Sequence, residues 1–230
     1  MEVLTLKQSL LGWVFRRLST IRVSEYDMRP SHFRFSEHHL LIPGILHLAS
    51  ELLLGDTLEK TQIFRVNSTR QKIIDLMELL RRISASELSK QQGMTRLRAA
   101  FDVIDIAAVY KFLFSTFEDP VIPRQMIDIA IKIEQIQDED DKMACTKAFI
   151  WSLPYTNRKI LENCVYVCAK TTSKLKKLDS SKKLSLPGLA VIMMPNLIKP
   201  HLNEPNWMGI KHLSNFVCYI FEHFKELIKV

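Results

Sequence analysis

Apolar residues recur every three or four positions through most of the chain, which is the spacing that places them on one face of an α-helix. This periodicity predicts eight helices, at residues 45–54, 69–83, 103–117, 123–135, 140–152, 157–171, 186–194 and 212–228. Four acidic residues at 138–141 mark one helix start, where they suit the helix dipole. Pro195 is predicted to end the seventh of these helices.

The first 40 residues are less regular. Residues 1 to about 20 predict a basic amphipathic helix, which would pack on the domain, lie on a membrane surface or serve as a targeting segment. The sequence leaves these three interpretations open. The following stretch, punctuated by Pro30 and Pro43, is predicted to be a loop.

The composition supports an all-α fold in a single compact domain of about eight or nine helices. The chain has 230 residues, of which 47% are hydrophobic and only six are glycine. That length is ample for one substantial core. No apolar run reaches the length of a membrane-spanning helix without a charge or a proline, so no span is predicted.

The segment from Gln62 to Thr69 places a cation just before a predicted helix. Ser68 to Gln71 has the S/T-x-x-E/Q form of a capping box, which predicts that Ser68 caps a helix starting at Thr69. Phe64 and Val66 would anchor the loop from either side, with Arg65 facing outward. Such a guanidinium suits an anionic pocket on a partner, although an arginine beside a helix start is, taken alone, usually a solvated surface residue.

A second cation interrupts the most apolar helix. The predicted buried stripe consists of Val103, Ile106, Ala107, Tyr110, Leu113, Phe114 and Phe117. Lys111 lies about 100° around the helix from Tyr110, and Ser115 follows one turn later on the face of Lys111. Lys111 is therefore predicted to be an exposed cation, and as a single feature it would be an ordinary surface lysine.

The net charge of +7 is distributed unevenly. A candidate patch for anionic lipid or an acidic partner contains Lys174, Lys176, Lys177, Lys182 and Lys183. The alternative is a solvated connection between helices. Nucleic acid fits less well, because aromatic residues for base stacking do not alternate with these lysines.

The four cysteines predict a reduced core and no metal site. Cys164 and Cys168 are one helical turn apart on an apolar stripe, and the histidines are not at ligand spacing to them. A reducing compartment, the cytosol or the nucleus, follows as the default.

Three segments together resemble the RhoGAP domain family, proteins that accelerate GTP hydrolysis by Rho-type small GTPases. Residues 63–66 (Ile-Phe-Arg-Val) are similar to the family's G-I-F-R-V motif, residues 102–123 to its D-V-H…L-K…P-E-P-L-I-P segment, and residues 189–197 to its L-A-x-x-x-x-P-N-L box. The segments follow in the family's order, and the resemblance covers roughly residues 31 to 228. It implies a RhoGAP-like helical bundle over residues 31–230, preceded by a helical extension at 1–30.

The resemblance also implies roles for individual residues. Arg65 would be the arginine finger that completes the partner's active site. Lys111, Asn196, Ser115 and Gly188 would be partner-binding positions. The family often has a bracing arginine where Ser115 stands and an asparagine where Gly188 stands. These departures predict reduced activity or an unusual target.

The expected partner is a Rho-family GTPase in its GTP-bound state. The chain would need no cofactor of its own, since GTP and Mg²⁺ belong to the partner, and it would not be an enzyme by itself. One alternative is a catalytically weak module that captures the GTPase without strong stimulation. Another is a membrane-associated adaptor that uses the lysine patch and the first helix. The expected location is the cytoplasm, at membranes if the lysines bind lipid.

Overall fold

A computed structural model of the protein describes residues 30–35, 38–55, 63–117, 119–175, 184–199 and 207–227. In these ranges the chain forms two short strands, nine α-helices and one 3₁₀ turn. The elements are β1 (Pro30–Phe35), β2 (His38–Pro43), α1 (Gly44–Gly55), α2 (Arg70–Ser84), α3 (Lys90–Ala100), α4 (Val103–Thr116), the 3₁₀ turn (Arg124–Met126), α5 (Ile127–Glu134), α6 (Glu139–Ser152), α7 (Tyr155–Leu175), α8 (Leu186–Ile198) and α9 (Trp207–Leu227). The predicted all-α class is confirmed. The predicted helical extension at residues 1–30 lies outside the described residues, apart from Pro30.

The strand pair is the main departure from the predicted elements. β1 and β2 pair in antiparallel register from Pro30 opposite Pro43 to Phe35 opposite His38. The loop predicted here is therefore wrong. Both prolines lie at the same end of the ladder, opposite each other, where a missing N–H interrupts little of the pairing.

Two helices differ from prediction for opposite reasons. The helix α3 was not predicted, because Gly93 and Leu97 are its only buried residues and give almost no periodic signal. The prediction that Pro195 ends its helix is wrong, since α8 continues to Ile198. Leu197 and Ile198 are fully buried, and the amide of Lys199 donates to the Pro195 carbonyl at 3.0 Å, which closes the last turn.

The chain folds as two compact units. The first comprises the described residues of Arg22–Glu118 and Glu162–Ser185, and the second those of Asp119–Leu161 and Leu186–Val230. The helix α7 contributes residues to each of them. None of the helices in the described ranges combines the length and apolarity needed to cross a bilayer.

In the first unit, α4 packs against α1 and α2. Its buried polar groups are linked across three helices, because Asn163 Oδ1 accepts from the Tyr110 hydroxyl at 3.0 Å and from Ser50 Oγ at 3.2 Å. Cys164 and Cys168 are buried nearby on α7 as free thiols, as the apolar stripe predicts. Tyr110 thereby fixes the helix that carries Lys111.

In the second unit, α9 packs against α8 and α5. The rings of Phe149 and Phe216 meet edge to face with centroids 5.0 Å apart. The amide of Ile122 donates to the Leu197 carbonyl at 2.9 Å, which ties the segment before α5 to the end of α8. Asp138 caps α6 by accepting from the Asp141 amide at 2.8 Å, in agreement with the acidic helix start that the sequence predicts.

Candidate functional site

The loop that carries Arg65 is a tight turn anchored on its N-terminal side. Ile63 and Phe64 are buried, with 0% and 1% of their surface exposed. Arg65 is exposed, as predicted, and in the part of the chain that the structure describes no hydrogen bond or ion pair holds its guanidinium. Val66 is 40% exposed, so its predicted role as a second anchor is wrong. The chain turns here, and its side chains do not alternate as they would in a strand.

The aromatic face of α4 supports the loop from beneath. The Phe64 ring meets the Tyr110 ring edge to face at 6.3 Å, and Tyr110 meets Phe114 in the same way at 5.3 Å. All seven residues of the predicted buried stripe are buried. The anchor of the turn is therefore continuous with the core of the first unit.

Lys111 joins the two ends of the turn. Its Nζ donates to the Phe64 carbonyl at 3.4 Å and to Asn67 Oδ1 at 3.1 Å, so the two bonds bracket Arg65. Lys111 is half-buried rather than exposed as predicted, and its Nζ bonds to the loop. Burial lowers the pKa of Lys111. Among the described residues no carboxylate pairs with it, so at neutral pH its charge adds to that of Arg65.

A buried carboxylate holds the C-terminal end of the loop. Asp105 on α4 is only 4% exposed. Its Oδ1 accepts from Ser68 Oγ at 2.6 Å, and its Oδ2 accepts from Lys72 Nζ at 2.9 Å and from the Asp102 amide at 3.1 Å. Burial by itself raises the pKa of Asp105, but the bonds from Ser68, Lys72 and Asp102 outweigh it and bring that pKa below its usual value.

The capping predicted for Ser68 is therefore wrong. Thr69 caps α2 instead, by accepting from the Lys72 amide at 3.4 Å, because the Ser68 hydroxyl is already bonded to Asp105. A full capping box does occur, but on α4, between Asp102 and Asp105. The D-x-x-D spacing ahead of an apolar run is the sequence signal from which Asp105 could have been found.

Ser115 and its neighbour Phe112 lie on the exposed side of α4. Ser115 Oγ donates to the Phe112 carbonyl at 2.6 Å, a bond within its own helix. The Phe112 side chain is 42% exposed. Together with Val66 it adds apolar surface to the unit that carries the two cations, Arg65 and Lys111.

The two remaining predicted partner-binding residues belong to the second unit. Gly188 lies in the first turn of α8 and Asn196 in its last turn, and both are half-buried. Asn196 Nδ2 donates to the Ile192 carbonyl at 3.5 Å. Arg65, Lys111 and Ser115 thus lie in the same unit, and Lys111 bonds to both sides of the turn that carries Arg65.

Most of the predicted lysine patch lies outside the described residues. Lys176, Lys177, Lys182 and Lys183 fall in the range 176–183. Lys174 is described, and its Nζ donates to the Leu54 carbonyl at the end of α1. In the described ranges no cluster of three or more potential metal-binding side chains occurs.

Comparison with known families identifies the chain. A sequence model of the RhoGAP domain matches residues 43–202. The chain belongs to the RhoGAP family. The matched range includes all five predicted finger and partner-binding positions.

Relatives of this RhoGAP chain include Rho GTPase-activating proteins. A Rho GTPase-activating protein, gacII, from Dictyostelium discoideum is 25% identical over 164 residues, which is 71% of this chain and 19% of that protein. Rho GTPase-activating protein 7 from Rattus norvegicus is 25% identical over 162 residues, which is 70% of this chain and 14% of the relative. The chain therefore spans a fifth or less of the length of these relatives.

Two solved structures share the RhoGAP fold. The BH domain of GRAF, the GTPase regulator associated with focal adhesion kinase, superposes with a TM-score of 0.66 at 15% identity and covers 81% of this chain and 94% of its own. Human Rho GTPase activating protein 15 also gives a TM-score of 0.66, at 18% identity, over 82% of this chain and 84% of its own.

Proposed function

We propose that this RhoGAP chain stimulates GTP hydrolysis by a Rho-family small GTPase, and that Arg65 is the residue it inserts into the partner's active site. The observation that carries the proposal is an exposed arginine at the apex of a turn whose flanks are fixed. Phe64 is buried on one side, and Lys111 bonds to both ends. The backbone is thus held while the guanidinium points outward without a described partner.

The chemistry required of Arg65 is electrostatic. Phosphoryl transfer from GTP places developing negative charge on the oxygens of the transferred group and the leaving phosphate, which a GTPase alone stabilises incompletely. A planar guanidinium that enters from a second protein donates to two oxygens at once and excludes water. In well-studied GTPases this contribution is worth about 10³ to 10⁵ in rate.

The remaining residues would bind the partner. Lys111 supports the loop and adds a second positive charge beside the nucleotide pocket, while Asn196 contacts the GTPase. Ser115 and Gly188 occupy further partner-binding positions of the family motif. GTP, Mg²⁺ and the attacking water belong to the GTPase, so the chain acts on a partner enzyme and has no cofactor of its own. Its partner would be the GTP-bound form, in the cytoplasm or at its membranes.

The test is single-turnover GTP hydrolysis by a panel of purified Rho-type GTPases, with and without this protein. We expect Arg65→Ala to abolish most of the stimulation on any GTPase that the wild type stimulates, a loss of about 10³-fold where the wild type acts at full strength. Arg65→Lys should recover only a small part of the stimulated rate. An ammonium lacks the planar pair of N–H groups with which a guanidinium donates to two oxygens at once.

The matched control is Arg96→Ala, which removes an exposed arginine from α3 in the same unit. Its stimulated rate should equal that of the wild type. If Arg65→Ala stimulates as well as Arg96→Ala does, the arginine mechanism is wrong. If the wild type binds a GTP-loaded GTPase but accelerates none, the chain is a binding module.

A further inference from the structure

The position of an arginine finger depends on both ends of its loop. The N-terminal end is anchored by Phe64, whose side chain is buried against Tyr110. The C-terminal end has no buried apolar residue, since Val66 is 40% exposed and Asn67 is exposed. The position where the family motif often has a bracing arginine holds Ser115, whose hydroxyl carries no charge. The anchors of this end are therefore polar, and the bond from Lys111 to Asn67 is one of them.

Asp105 provides that anchor. Its carboxylate reaches three donors on three segments: Ser68 in the loop, Lys72 in the first turn of α2, and the amide of Asp102 before α4. The bonds are 2.6, 2.9 and 3.1 Å long. Charge-assisted bonds of this kind, on a group that is 4% exposed, are stronger than bonds between neutral partners.

The Asp105 carboxylate and the Lys111 ammonium hold the same end of the loop. Both residues lie on α4, and they bond to consecutive loop residues, Lys111 to Asn67 and Asp105 to Ser68. Because both oxygens of Asp105 are already bonded and its charge is paired with Lys72, it is not an open acceptor for the Arg65 guanidinium. A free carboxylate beside the finger loop could otherwise capture that guanidinium.

We propose that Asp105 is a positioning residue for Arg65, which holds the C-terminal end of the finger loop through Ser68 and Lys72. The proposal rests on the proposed function of Arg65. It assigns Asp105 no contact with the GTPase or the nucleotide. Loss of the anchor should therefore change the maximal stimulated rate more than the GTPase concentration that gives half of it.

The test is Asp105→Asn, which keeps the side-chain volume and removes the charge. We expect the maximal stimulated rate to fall by about tenfold to a hundredfold, because small displacements of a reacting group cost that much. The half-saturating GTPase concentration should change by less than about threefold. Amide hydrogen exchange at residues 63–68 should become faster.

The matched control is Asp102→Ala. It removes the other half of the same capping box, where Asp102 Oδ1 accepts from the amides of Ile104 and Asp105, but leaves the bonds to Ser68 and Lys72. We expect it to lower the melting temperature while keeping the stimulated rate. If both variants lose activity in proportion to their stability, Asp105 is only a helix cap and the proposal is wrong.

Lys72→Met covers the case in which Asp105→Asn does not fold. The Lys72 side chain is exposed and is not part of the capping box of α4. Lys72→Met should show the same loss of rate in milder form and faster exchange at 63–68. Wild-type rate and exchange in this variant would overturn the proposal. If the wild type stimulates no GTPase, the function fails, and the exchange comparison alone then decides whether Asp105 holds the loop.

Discussion

Among the described residues, the half-buried Lys111 bonds only to neutral oxygens, those of Phe64 and Asn67. Because no ion pair adds to these bonds, the contribution of the bond to Asn67 can be measured by mutation. Replacing Lys111 by Met and Asn67 by Ala, singly and together, gives a double-mutant cycle. We expect a coupling of about 1 kcal/mol in the free energy of unfolding, because the 3.1 Å bond is charge-assisted but partly open to water.

The same cycle, measured on stimulated GTP hydrolysis, should also be non-additive. Once either partner is lost, the loop is already released on that side, and the second replacement should cost little more. Strict additivity in both measurements would mean that the two side chains act independently. The single variants serve as each other's controls.

At the candidate site the sequence predicts the exposure of single residues better than their tertiary contacts. Arg65 was predicted to face outward between two apolar anchors, and it is exposed although only one of them, Phe64, is buried. Asp105 was not recognised, because an acidic residue in the first turn of a helix is satisfied by the helix dipole alone and needs no tertiary partner. The choice between Ser68 and Thr69 as the cap depended on that missing contact. A local pattern cannot decide which of two adjacent hydroxyls is bonded elsewhere.

The helices followed their apolar periodicity closely where one face is continuously buried. On α4 every residue of the predicted stripe is buried. On α3 the packing depends on Gly93, which has no side chain and therefore does not contribute to a hydrophobic pattern. The short extent of β1 and β2, bounded by prolines, gave no clear alternation either. Periodicity could therefore predict the helices that have a continuous buried apolar face.

Gly93 on α3 gives a direct test of that close packing. A Cβ built there would lie 2.4 Å from Cδ1 of Ile83 on α2, which is well inside contact distance. Alanine favours a helix over glycine by about 1 kcal/mol. We nevertheless expect Gly93→Ala to lower the free energy of unfolding by about 1–3 kcal/mol, because either Ile83 must leave its rotamer or the two helices must move apart.

Gly55→Ala is the matched control, since among the described residues a Cβ there meets Arg98 Nη2 alone, at 3.6 Å, which is an ordinary contact. It should leave the midpoint of urea denaturation unchanged or raise it slightly. If Gly93→Ala is as stable as Gly55→Ala, Ile83 can move aside without cost and α3 does not depend on this approach.

Charge is the property of the whole chain that the family match leaves unexplained. The excess of seven positive charges is larger than one exposed arginine and its supporting lysine require. Six lysines fall between residues 170 and 183 with Asp179 as the only acid. A cluster of this density attracts anionic lipid by about 1 kcal/mol per lysine near the surface. None of these lysines is among the residues proposed to act on the GTPase, so membrane attachment would be compatible with the proposed function.

We therefore expect the protein to bind vesicles that contain phosphatidylserine but not vesicles of phosphatidylcholine alone. A variant with glutamine at Lys176, Lys177, Lys182 and Lys183 should lose most of this binding, measured by co-sedimentation at about 0.1 M salt, where screening extends over about 10 Å. The control replaces four exposed lysines elsewhere, at positions 90, 132, 211 and 225. Both variants lower the net charge from +7 to +3, because each removes four charges. Equal loss in the two would show that net charge alone governs the attraction. Loss in the lysine-cluster variant alone would show that the spacing of these four lysines, which fall within eight consecutive residues, governs the attraction.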